Sequence, residues 1–119
     1  LMIFIQIAKP NWFERWMIIL AQFLFWHFYM VLYIFFPKVA HRMVGYFEEQ
    51  AVISYTEYLK EIDEGRAENI PAPTIAKNYY ALNEDATLRD VVIAVREDER
   101  GHAQVNHNMA DTLKRAKNL

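Results

Sequence analysis

Glu99 and His102 stand three residues apart in the segment running from Arg96 to His102, a spacing that puts an acid and an imidazole on one face of a helix. That face is otherwise largely apolar. Leu88, Val92, Val95, Glu99, His102, Asn106, Met109 and Leu113 recur at alternating steps of four and three, so Glu99 and His102 fall where a packed bundle wants Leu or Val. A second stripe, His41, Gly45, Glu48, Val52, Tyr55, Leu59 and Ile62, again sets a carboxylate in a seam slot. Burying an unpaired ionised carboxylate costs several kcal/mol or raises its pKa until it neutralises. Two such acids and an imidazole call for a common partner, and a divalent or trivalent metal ion is the simplest one.

Alone, a Glu-x-x-His pair occurs on many solvated helix faces, and register is what singles this one out. Di-iron and di-manganese carboxylate bundles use two Glu-x-x-His motifs and two further Glu, all projecting inward from four helices. One Glu-x-x-His and one lone Glu make half of that set. Glu49 and Gln50 lie about 100° and 200° round the helix from Glu48 and cannot share its role. Glu97 reads as a surface charge, whereas Asp98 is placed to orient a ligand by hydrogen bonding, as metal sites require. Tyr55, two turns beyond Glu48 on the same face, is either a packed core tyrosine or a redox-active or proton-relaying phenol. His27, His41 and His107 lack a matching acid on a convincing seam.

The elements that must position these residues are helical. With 119 residues, 54% of them hydrophobic, the chain can build one helical domain with a real core, and no repeat or strand alternation interrupts that reading. Residues 1–8 read as the end of a bundle helix, broken at Lys9-Pro10-Asn11. An apolar helix over 12–36 follows, and Pro37 closes it. A third helix, 38–64, carries Glu48 and stops at Gly65. Residues 65–82, with Pro71 and Pro73, read as a connector containing one helical turn. A last helix over 84–116, capped by Asn83 or Asp85, carries Glu99 and His102. The apolar start, without an initiating Met or a capping residue, suggests the C-terminal part of a longer protein whose first helices are missing.

A net charge of −2 with scattered Lys and Arg argues against nucleic acid as a partner. The absence of cysteine removes disulfides, thiolate metal sites and thiol catalysis, so any metal must be held by oxygen and nitrogen. Residues 16–36 are long enough to span a bilayer. However, Gln22, Trp26, Tyr29 and Tyr33 give one face with polar tips, and basic residues flank both ends, which favours a helix lying in the membrane interface.

Three blocks of sequence carry a family resemblance. Residues 39–56, Val-Ala-His-Arg-Met-Val-Gly-Tyr-Phe-Glu-Glu-Gln-Ala-Val-Ile-Ser-Tyr-Thr, resemble the alternative oxidase segment H-R-x-V-G-Y-L-E-E-E-A-V-x-T-Y-T. The stretch from Asp85 to Val92 resembles that family's D-A-T-x-R-D block. Arg96 to His107 resembles R-A-D-E-A-x-H-R-x-V-N-H. The likeness covers essentially the whole chain. The family's N-E-R-M-H motif would end just before Leu1.

The resemblance implies an all-α, ferritin-like di-iron four-helix bundle, here partial, with a membrane-interfacial apolar helix. It implies a ubiquinol oxidase that reduces dioxygen to water without pumping protons. Glu48, Glu99 and His102 would be metal ligands for two irons whose remaining ligands lie upstream, and Tyr55 the catalytic tyrosine. His41, Asp98 and Tyr80 would support them by hydrogen bonding, Tyr80 standing where the family has a Trp. Phe47, Gln50, Ala51 and Ser54 would line the quinol pocket. Three of these depart from the family: Phe47 for Leu, Gln50 for Glu and Ser54 for Thr. Implied partners are ubiquinol, dioxygen, one lipid leaflet and a second copy in a homodimer. The implied location is peripheral, on the cytoplasmic or matrix face of a bacterial or mitochondrial inner membrane. A fragment of this kind would be inactive alone. Two alternatives remain: a related di-iron membrane hydroxylase of quinone biosynthesis, and a metal-free helical module at a membrane surface.

Overall fold

The computed structural model describes residues 2–117, so Leu1, Asn118 and Leu119, which the single-domain reading included, lie outside the described residues. Five helices follow in order: α1 (Met2–Ala8), α2 (Trp12–Phe35), α3 (Pro37–Asp63), α4 (Thr74–Tyr79) and α5 (Leu88–Lys117). The only strand-like feature among the described residues is an isolated bridge between Pro71 and Thr87, and the all-α class holds.

Local chemistry sets the boundaries. Asn11 and Glu14 form a reciprocal capping box at the start of α2: Asn11 Oδ1 accepts from the Glu14 N–H and Glu14 Oε2 from the Asn11 N–H, both at 2.9 Å. Pro37 opens α3, and because a residue preceding proline is pushed out of the helical region, Phe36 leaves the helix at φ −137°. Gly65 ends α3 at φ +78°. Its N–H reaches the Ile62 carbonyl (3.1 Å) and that of Arg66 the Glu61 carbonyl (2.9 Å), the pattern of a Schellman stop.

The last helix begins later than the caps at Asn83 or Asp85 predict. The Ala72 N–H donates to the Ala86 carbonyl and the Leu88 N–H to that of Ile70, at 2.9 and 2.7 Å, which holds this stretch extended. Thr87 is therefore the cap, with Asp90 Oδ2 accepting from its N–H at 2.9 Å. No spacing rule local to residues 83–88 contains those partners.

By contacts the described residues form two compact units, and α3 and α5 contribute one end to each. The first comprises Glu48–Gly101 with α1 and Lys9. Its core joins Leu59 and Ile62 of α3 to Leu88 and Val92 of α5, with Tyr55, Ile70 and Ile93 packed against them. A second cluster, Ala72, Ala76, Ala86 and Val91, lies beside it. Fully burying a side chain such as Leu or Val contributes about 1.5–3 kcal/mol, so these few residues supply much of this unit's cohesion.

The second unit comprises Pro10–Phe47 with α5 from His102 onward. Its buried hydrophobic residues are Ala40, Ala103 and Ala110. None of the α2 residues is buried, and Trp12, Trp16, Phe23, Trp26, Phe28 and Phe35 are all exposed. Over 24 residues α2 is long and apolar enough to cross a membrane. Along the face of polar tips, Tyr29 stacks on both Phe25 and Tyr33, with centroids 6.2 and 6.1 Å apart.

Candidate metal centre

In the first unit, α3 brings the Glu48 carboxylate and α5 the Glu99 carboxylate within 4.8 Å of each other, both half-buried. One turn further along α5 comes His102, the first residue of that helix to belong to the second unit. Two carboxylates this close repel unless a cation or a shared proton lies between them. The donor set is hard oxygen plus imidazole nitrogen, which suits iron or manganese. These three residues fit part of a two-metal set and are too few to complete one.

His102 is exposed, although its register predicts a core slot. Along the α5 stripe Leu88 and Val92 are buried, Val95 and Glu99 half-buried, and His102 and Met109 exposed. Past Glu99 the buried residues of α5 are Ala103 and Ala110, whose side chains are too short to seal a neighbouring position.

Two tyrosines attend the carboxylates. Tyr55, two turns after Glu48, is half-buried, and burial first, then the Glu99 carboxylate, raises its pKa above the ordinary phenol value. Tyr80, just past α4, donates from its hydroxyl to Asp98 Oδ2 at 3.1 Å. Burial and then this bond push its pKa up to about 12. Tyr80 thereby anchors the turn of α5 that carries Glu99. Ala81 follows it at φ +51°, a left-handed conformation that costs a non-glycine residue about 1–2 kcal/mol.

The remaining predicted residues are placed as follows. Gln50 and Ser54 are exposed and Ala51 half-buried on α3. Phe47 is exposed and packs against Phe25, with centroids 6.1 Å apart. His41 Nδ1 bonds Asn106 Oδ1 at 3.0 Å, and its ring meets Tyr33 edge-on. His27 Nδ1 bonds the Phe23 carbonyl at 2.8 Å, a contact within its own helix.

Two polar groupings escaped sequence reasoning. One turn before Glu99, Arg96 Nη1 reaches Thr56 Oγ1 at 3.5 Å. In the second unit Arg42 contacts both His107 and Asp111. The available signals were His107 and Asp111 at a helical spacing of four and a glycine, Gly45, in an apolar seam.

Two carboxylates brought together by α3 and α5, with a histidine one turn further along α5, are the kind of donors that helical carboxylate bundles use to hold metals. A family model described as alternative oxidase matches residues 1–111, and the chain belongs to that family. It is 56% identical over 111 residues to ubiquinol oxidase 1c, mitochondrial, of Arabidopsis thaliana, covering 93% of this chain and 34% of that protein. It is 54% identical over 111 residues to ubiquinol oxidase 2, mitochondrial, of Nicotiana tabacum, covering 93% and 37%. Against ubiquinol oxidase, mitochondrial, of Mangifera indica, it is 49% identical over 119 residues, covering 100% and 37%. The chain thus spans about a third of the length of these curated relatives.

Proposed function

We propose that the protein works as a membrane-bound ubiquinol oxidase in which Glu48, Glu99 and His102 hold part of a di-iron centre and the products are ubiquinone and water. The observation that carries this reading is the approach of the Glu48 and Glu99 carboxylates to within 4.8 Å, with His102 one turn beyond Glu99. The similarity to mitochondrial ubiquinol oxidases supports ubiquinol as the substrate and a mitochondrial location.

Bound iron supplies the electron-transfer chemistry. The chain's own residues supply the surroundings. Glu48 and Glu99 present hard, charged donors. Tyr55 keeps its hydroxyl proton beside them, because burial and the Glu99 charge both oppose its loss. Tyr80 and Asp98 hold the Glu99 turn in place. The α3 face of Phe47, Gln50, Ala51 and Ser54 receives the quinol head group. The outward apolar surface of α2 lies in one lipid leaflet, and a second copy completes a dimer. No step pumps protons across the membrane.

Membranes containing the protein as encoded should oxidise ubiquinol in the presence of cyanide. Glu99→Ala should abolish that activity by about a hundredfold or more, the scale expected when a group at the reacting centre is removed. Cyanide-insensitive oxidation that survives Glu99→Ala would show that the site lies elsewhere.

A further inference from the structure

In the second unit, Gly45 sits buried in the middle of α3. A Cβ placed on it would lie 2.8 Å from Cε1 and 2.9 Å from both ring nitrogens of His107. The imidazole thus fills the space that any side chain at position 45 would need. Nη1 of Arg42, on the preceding turn of α3, lies 2.8 Å from His107 Nδ1. A guanidinium only donates, so Nδ1 accepts and the ring proton sits on Nε2. Nη2 of the same guanidinium pairs with Asp111, one turn past His107. Tyr46 meets the imidazole edge-on, with centroids 5.0 Å apart. One step away the roles reverse: His41 Nδ1 donates to Asn106 Oδ1 at 3.0 Å, while Asn106 Nδ2 donates to the His102 carbonyl at 3.0 Å.

We infer that Arg42, Gly45 and His107 form a positioning clasp: a neutral imidazole seated on Gly45 sets the spacing of α3 and α5 in this unit, and protonating His107 opens it. The clasp rests on geometry alone, whereas its consequence for iron rests on the proposed function. Gly45 lies one turn before Glu48 on α3, and His107 five residues after His102 on α5, so the clasp is built on the two helices that carry the proposed ligands. A charged imidazole has no lone pair for Arg42 and sets two positive groups in contact. The groups facing the ring include Arg42 and Tyr46 from α3 and Asp111 from α5, with Arg115 near that carboxylate. Asp111 offsets only part of the repulsion, since it is exposed and already engaged by Arg42. At contact distance the nearest charge dominates.

The test uses the protein as encoded, purified from membranes, with iron content and thermal midpoint followed from about pH 7.5 to about pH 5.5, across the range in which imidazoles take up a proton. The wild type should lose iron, and its midpoint should fall by on the order of 4 °C. His107→Asn keeps an acceptor near the Nδ1 position and cannot be protonated, so it should flatten most of both losses. His107→Lys should resemble the acid state already at about pH 7.5. Gly45→Ala retains every titratable group yet evicts the ring, and it should show a low midpoint with little pH dependence. Wild-type pH profiles in His107→Asn or in Gly45→Ala, or a His107→Lys protein as stable as the wild type, would overturn the clasp. If the midpoints follow the expected pattern but no variant or wild type holds iron, the clasp stands and the di-iron reading fails.

Discussion

In the unit built on Glu48–Gly101 the buried hydrophobic residues include Leu59, Ile62, Leu88, Val91 and Val92, whereas in the unit built on Pro10–Phe47 they are Ala40, Ala103 and Ala110. The first holds α3 and α5 together by interlocked aliphatic side chains. In the second, alanines and Gly45 let the backbones approach closely, and His41, Arg42, Asn106, His107 and Asp111 link the helices by polar contacts. Aliphatic packing tolerates small shifts of register at modest cost, while a hydrogen bond between fixed rings and guanidiniums does not. The same two helices are therefore held by burial in one unit and by polar geometry in the other. The apolar surface of α2 belongs to the second unit and faces outward instead of contributing a core.

Breaking the aliphatic side of this comparison should have the largest effect. Leu88→Ala, at a position only 3% exposed, should cost about 2–5 kcal/mol in denaturant unfolding, with a cavity where α3 and α5 meet. A loss below about 1 kcal/mol would mean that the first unit does not rest on that core. A pair of glycines sharpens the contrast. A Cβ on Gly101 meets nothing within 4 Å, so Gly101→Ala should stabilise the protein by about 0.5–1 kcal/mol through helix propensity alone. Gly45→Ala receives the same propensity gain but must displace His107, and it should be net destabilising. Thermal midpoints of the two variants, measured side by side, would contradict the account if they moved in the same direction.

Much of this was legible in the sequence because helical periodicity is a local property. The stripe from Leu88 to Met109 places Glu99 and His102 on one face without any tertiary knowledge, and the matching stripe through Glu48 identifies its counterpart. The stop at Gly65 was equally readable, since the left-handed conformation found there strongly favours glycine. Contacts distant in sequence were not readable. The start of α5 depends on backbone bonds from Thr87's neighbours to Ile70 and Ala72, and the clasp joins residues 65 positions apart. The exposure of His102 was hidden for a similar reason, because a stripe says which residues share a face and not what covers it. The Tyr80–Asp98 bond had no periodic signal: both residues were expected to support the ligands by hydrogen bonding, but nothing in the sequence paired them.

The central claim is that Glu99, and not merely the acidic character of this stretch of α5, holds a metal. Glu97 lies two residues away, is exposed and pairs with Arg100 at 2.9 Å, which makes it the natural control. The most direct measurement is iron per polypeptide in protein purified from membranes as encoded, comparing wild type, Glu97→Ala and Glu99→Ala. The account predicts that Glu97→Ala retains wild-type iron and Glu99→Ala loses most of it. Wild-type iron in Glu99→Ala, or equal losses in both variants, would contradict it.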